Sequence, residues 1–157
     1  MPENIKYLVK IDGETAFLVV DGKASYLNCK NVGEFFSSVA EKNCKSLVID
    51  LKNCTGMDST FLGMIAGVAL RLRKTNAVVS LLNLNERNRQ LVENLGLYKL
   101  VKISQDLQST TNASNLEATN VSKEDMLSAH ENLVSADKEN LKKFEDVITF
   151  LKKETEQ

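Results

Sequence analysis

The segment that most restricts the fold is a strand–turn–helix unit in the middle of the chain. Ser46-Leu47-Val48-Ile49-Asp50-Leu51 is a short apolar run with β-branched residues, and from Phe61 to Leu72 apolar residues recur at helical spacing. The run is compatible with a strand buried on both faces, as in sheets covered by helices. Arg71, Arg73 and Lys74 close the helix, where cations oppose the negative end of its dipole. The turn between the two elements holds Asp58, Ser59 and Thr60, residues whose side-chain oxygens cap helices.

The flanking sequence extends this unit into an alternating pattern. Ile5–Ile11 and Thr15–Val20 read as two strands joined by Asp12-Gly13-Glu14, a hairpin signal. Val32, Phe35, Phe36, Val39 and Ala40 define a helix over residues 31–42. Ala77–Leu82 predicts another buried strand, Asn85 caps a helix that Gly96 stops, and Leu100–Ile103 gives a short edge strand. The order β-β-α-β-α-β-α-β implies right-handed crossovers and an α/β fold with a mixed β-sheet packed by α-helices.

Past residue 104 the character changes. Residues 105–120 are polar and read as a linker. In the final segment, 121–157, Ser122 to Asp125 fits a helix start, and apolar residues follow at Met126, Leu127, Leu133 and Val134 and then at Leu141, Phe144, Ile148 and Leu151. Ser135-Ala136-Asp137 separates the two sets, so one bent helix or two helices both satisfy the pattern. This C-terminal helical extension either folds back on the 1–104 domain or pairs with the same segment of another chain, giving a homodimer through the C-terminal helices. An apolar stripe of this length does not stay in water.

Charge and cysteine usage narrow the function. Residues 1–104 carry 14 basic and 10 acidic side chains and residues 105–157 carry 6 and 11, a mild opposition with nothing basic enough to suggest nucleic acid. Cys29, Cys44 and Cys54 are widely spaced and odd in number, which speaks against a disulfide framework or a zinc site. No carboxylate cluster implies a metal, and no motif implies a cofactor. The longest apolar run is too short for membrane insertion, and the first residues lack the pattern of a secretory leader, so a cytoplasmic location is expected.

The ten residues Cys54-Thr55-Gly56-Met57-Asp58-Ser59-Thr60-Phe61-Leu62-Gly63 resemble the STAS family, and within it the anti-sigma factor antagonist branch. Asp50, Met57, Asp58, Ser59, Thr60, Leu62 and Gly63 carry the resemblance. It implies a STAS-like sheet with packed helices and a regulator that is itself no enzyme. Ser59 would be reversibly phosphorylated, Asp58 would orient it, and Met57, Asp58, Thr60, Phe61 and Leu62 would form the switch loop that meets partners. Those partners would be a serine kinase/anti-sigma factor of the histidine-kinase-like ATPase fold and a serine phosphatase.

A bland role for Asp58-Ser59-Thr60 as a helix cap is compatible with the switch. Two departures from the family stand out: Phe61 replaces a glycine, and Gly22-Lys23-Ala24-Ser25 lacks the usual acidic residue. Both bear on which kinase would be the partner, and Phe61 gives some weight to an alternative, a non-phosphorylated STAS subunit docking on a transporter ATPase or other complex. A nucleophilic Ser59 is set aside because the lone histidine, His130, lies in the extension and is read as a packing or surface residue. Thr60 is a weaker second phosphosite. Cys54 reads as a buried structural thiol ahead of a redox sensor, and Gly63 and Gly67 as points of close helix–sheet packing.

Overall fold

The computed structural model describes residues 4–105 and 112–156. Strands β1 (Lys6–Asp12) and β2 (Thr15–Ala24) form the expected hairpin, with Asp12 opposite Thr15 and Gly13 in the left-handed backbone (φ 61°) that the tight turn needs. There follow α1 (Lys30–Glu41), β3 (Ser46–Met57), α2 (Ser59–Arg73), β4 (Val78–Leu82), α3 (Glu86–Asn94) and β5 (Lys102–Ser104). A short 3-10 turn, Leu97–Lys99, links α3 to β5. The pairs β2–β3, β3–β4 and β4–β5 are parallel and the hairpin is antiparallel, so the sheet is mixed and β3 is interior.

Two features of the sheet depart from the pattern read in the sequence. Leu47, Ile49 and Leu51 are buried, but Ser46, Val48 and Asp50 between them are only half-buried. One face of β3 is closed and the other partly open, which the two polar residues at alternate positions explain. In addition, β2 and β3 run on past their apolar cores to Ala24 and Met57, with register shifts between Val19 and Asp21 and between Gly22 and Lys23. Bulges of this kind bend a strand while keeping it paired. The extended pairing delivers the chain directly into Asp58 and Ser59.

The stretch 105–120, read as a linker, lies partly outside the described residues. Within the described part, Ser114–Leu116 forms β6 and pairs antiparallel with β1 at the sheet edge. The next residues track the β2–α1 loop: the Lys30 N–H donates to the Thr119 carbonyl at 3.0 Å and the Val121 N–H to the Tyr26 carbonyl at 2.8 Å. Asn31 Nδ2 donates to the Glu117 carbonyl at 2.8 Å. The extension is therefore fastened to the sheet domain before its first helix begins.

Two helices follow, α4 (Lys123–Ala136) and α5 (Asn140–Thr155), which settles the choice between one bent helix and two. Ser122 caps α4, its Oγ accepting the Asp125 N–H at 3.1 Å. Of the two arrangements open to the extension, this chain shows the fold-back: α4 lies along α2, and α5 packs on α4. As a result α2 is buried almost all round, from Thr60 through Gly63 and at Ile65, Ala66, Val68, Ala69 and Leu72.

The corner between α4 and α5 is held by Asp137. Its Oδ1 accepts the Glu139 N–H at 3.0 Å and its Oδ2 lies 3.2 Å from Lys99 Nζ. The Glu139 amide and then the Lys99 ammonium keep its carboxyl below the ordinary value of 3.8. A depressed carboxylate stabilises the fold above its unfolded value, and that contribution is lost as pH falls through the folded one. We expect the Asp137 carboxyl signal in an NMR titration to move only below the ordinary aspartate value, with loosening of the corner starting there. Asp137→Asn should abolish that acid step; an unchanged step would assign it to another group.

Candidate functional site

Ser59 is the first residue of α2 and stands at the carboxyl end of an interior parallel strand, where open α/β sheets place their sites. Asp58 precedes it in extended conformation and caps the helix: its Oδ1 accepts the Phe61 N–H at 2.9 Å. The other carboxylate oxygen accepts the Tyr26 N–H at 2.8 Å. Both oxygens thus bind backbone, one on α2 and one on the β2–α1 loop. Asp58 fixes the loop around Ser59, but its carboxylate does not hold the hydroxyl, contrary to the orienting role expected of it.

The group that does hold the hydroxyl is His130. Ser59 Oγ lies 2.9 Å from His130 Nε2, and His130 Nδ1 lies 2.7 Å from the Met126 carbonyl. A carbonyl only accepts, so Nδ1 donates to it, and the tautomer this selects leaves Nε2 as the acceptor for the Ser59 hydroxyl. The imidazole is 4% exposed and meets the edge of Phe144, with ring centroids 5.2 Å apart. The sequence reading of His130 as a packing or surface residue, remote from Ser59, is corrected here. Seventy-one residues separate the pair along the chain, a distance across which spacing carries no signal.

Ser59 shares its face of α2 with Gly63 and Gly67, at intervals of one helical turn. A Cβ on Gly63 would stand 2.1 Å from the Ala129 carbonyl oxygen, and one on Gly67 would stand 2.3 Å from Asn132 Nδ2. Asn132 Nδ2 also donates to the Gly63 carbonyl at 3.2 Å. The two glycines therefore admit a helix, α4, and their expected role in helix–sheet packing is replaced by helix–helix packing. Small residues on one side and an imidazole at the end make a seat for α4 with Ser59 as its last contact.

The remaining switch-loop residues are enclosed. Met57, Thr60, Phe61 and Leu62 are all buried, and Phe61 stacks on Tyr7 with centroids 6.4 Å apart and planes at 21°. Tyr7 in turn donates to Asn28 Oδ1, and burial pushes its phenol far above the ordinary range. Phe61 is thus core. The apolar side chains left exposed beside Ser59 are Tyr26 and Leu27, on the loop that Asp58 ties down. Gly22-Lys23-Ala24 lies within β2, paired with Cys54, Gly56 and Met57.

Ser59 and His130 are hydrogen-bonded as a nucleophile and a base would be, but neither of the two best-formed grooves among the described residues opens onto the pair. The base that sequence reasoning found missing is present, oriented by a backbone carbonyl. A groove of about 470 Å³ lies between α1, α2 and α4, but its walls (among them Lys30, Met64, Arg71 and Asn132) include neither Ser59 nor His130. The three cysteines are free and buried; burial, then the Asp58 charge, pushes the Cys29 thiol up to about 12, and burial also raises Cys54. Among the described residues no cluster of three or more His, Cys, Asp or Glu could hold a metal, and no helix is long and apolar enough to cross a membrane.

Comparison with known proteins gives the following. The family model of the STAS domain matches residues 6–110. The anti-sigma factor antagonist SpoIIAA in its unphosphorylated form has a similar fold, with a TM-score of 0.54 at 15% identity over 66% of this chain and 89% of that one. The phosphorylated form of the Bacillus cell fate determinant SpoIIAA gives 0.56 at 15% identity, over 65% and 92%. An anti-sigma factor antagonist from Mycobacterium paratuberculosis gives 0.58 at 20% identity, over 66% and 88%. A search of curated protein sequences finds no match. The family match stops before α4 begins.

Proposed function

The chain belongs to the STAS domain family, and from that premise we propose that it is a regulator of the anti-sigma factor antagonist type, switched by reversible phosphorylation of Ser59. The observation that carries this reading is the placement of Ser59 as first residue of α2, with Asp58 as its cap. A helix N-terminus offers unpaired N–H groups and a positive dipole end to an added phosphate. The group brings about −1.5 to −2 charges and a strongly hydrated surface, which a protein interface cannot desolvate cheaply. Binding to a kinase of the histidine-kinase-like ATPase fold would then be lost, and a serine phosphatase would restore it. The solved phosphorylated and unphosphorylated forms of SpoIIAA lend support by fold.

In this reading Tyr26 and Leu27 supply the exposed apolar contacts around Ser59, and the protein works in the cytoplasm as a substrate of other enzymes. The transporter-subunit alternative drew its weight from Phe61 as an altered partner surface, and that ring is buried against Tyr7. The test is incubation of the full chain with host cell extract and ATP, followed by phosphosite mapping. The Ala129→Leu variant is run beside it, since a larger side chain at a position 1% exposed against α2 displaces α4 and leaves the switch loop unaltered. We expect phosphate on Ser59 in at least one of the two, absent from Ser59→Ala. An unmodified Ser59 in both, in extracts of growing, starved and stressed cells, overturns the phosphoswitch.

A further inference from the structure

We infer that α4 is a built-in competitor for the switch face: while it is docked Ser59 is closed to a kinase, and a phosphate on Ser59 excludes α4. The inference rests on the phosphoswitch reading for its biological use, though the exclusion itself follows from geometry. Ser59 Oγ is hydrogen-bonded to His130 Nε2 at 2.9 Å. A phosphate extended along that bond would collide with the imidazole, so a phosphoryl group on Ser59 turns away toward the α2 N-terminus and gives up the contact with His130. His130 has no room to retreat, because it is 4% exposed, tied to the Met126 carbonyl and set against Phe144. The backbone of α4 meanwhile touches α2 at Gly63, so the helix cannot slide closer or ride over a larger group.

Charge acts in the same direction. The new dianion would stand directly after Asp58, the cap of its own helix. It would also remove part of the attraction between the basic sheet domain and the acidic extension. Conversely, Ser59 is half-buried with its hydroxyl bonded to the α4 imidazole, so a kinase must displace His130 to align that oxygen with its phosphoryl donor. The segment Glu117–Val121 stays fastened to the β2–α1 loop, so α4 can lift from Ser122 onward without the sheet opening. The device is a latch with Ser59 and His130 as its catch.

The experiment separates the latch from the phosphoswitch by making phosphoserine directly, through genetic encoding at position 59 of the full chain, so that no kinase is needed. Hydrogen–deuterium exchange is then compared with the unmodified chain. We expect amides of α4 to exchange about tenfold faster or more in the phosphoserine protein, with β2, β3 and β4 unchanged. Ala129→Leu should give the same pattern without phosphate, and the unchanged sheet excludes simple misfolding. Equal or stronger protection of α4 with phosphoserine present would mean that protonated His130 pairs with the phosphate, and would overturn the latch. In the extract assay, faster Ser59 phosphorylation of Ala129→Leu than of the unaltered chain supports the latch; equal and ready phosphorylation of both overturns its shielding role. If exchange shows release but extracts modify neither protein, the latch stands and the phosphoswitch falls.

Discussion

Replacement of Phe61 by alanine is expected to destabilise the protein by about 3–5 kcal/mol, the range for removing a fully enclosed aromatic side chain. Phe61 is 0% exposed and stacks on Tyr7, itself 1% exposed and anchored through its hydroxyl to Asn28. The cavity cannot be filled from the sheet side, because Tyr7 is held at both ends. Nor can α2 settle into it, because the Phe61 N–H is the donor that Asp58 accepts. Phe61→Leu keeps much of the volume and should cost far less. Urea unfolding of the two variants decides the matter. A loss below about 1 kcal/mol for alanine would be too small for a core ring and would return Phe61 to the partner surface.

The second large effect is expected at Gly63. Any side chain there collides with the backbone of α4, since the nearest atom would be 2.1 Å from the added Cβ. The protein can absorb a strained residue or release α4, and it takes the cheaper course. Alanine itself favours a helix over glycine by about 1 kcal/mol, so α2 does not suffer from the change. If release is the outcome, the cost is capped at the docking free energy of the extension and stops depending on side-chain size. Gly63→Ala and Gly63→Leu should therefore lose the same stability and show the same new protease sensitivity at the lysines of α4 and α5. A steep increase from alanine to leucine would show that α4 stays put and that strain is stored instead.

Much of this fold is legible in the sequence because its signals are local. The Asp12-Gly13 turn, the helical spacing of Val32 to Ala40 and the Asn85 cap each act within a few residues, and each element formed where expected. What escaped depends on distant partners. Strand β6 is Ser-Asn-Leu, with no pattern of its own, and exists because β1 offers a free edge. The extra length of β2 and β3 runs through Gly22, Asn53 and Thr55, where bulges replace alternation. At the site, the motif around Ser59 placed the serine and its cap, while His130 could not be linked to it by spacing. One signal did point there. Apolar residues surround α2 on all sides, and Ser59, Gly63 and Gly67 recur each turn, which together call for a second helix over the first.

His130 is the only histidine in the chain, and it lies at the contact between the extension and the serine. The chain therefore carries a native spectroscopic reporter. In a two-dimensional NMR spectrum of imidazole nitrogens and ring protons, every signal belongs to this residue, so no assignment is required. The shifts of Nδ1 and Nε2 distinguish the bound tautomer from a freely exchanging ring, and their line widths give the rate at which the helix leaves and returns. Unlabelled partners, extracts or small molecules can be added to one isotope-labelled sample and their effect on the guarded serine read within minutes.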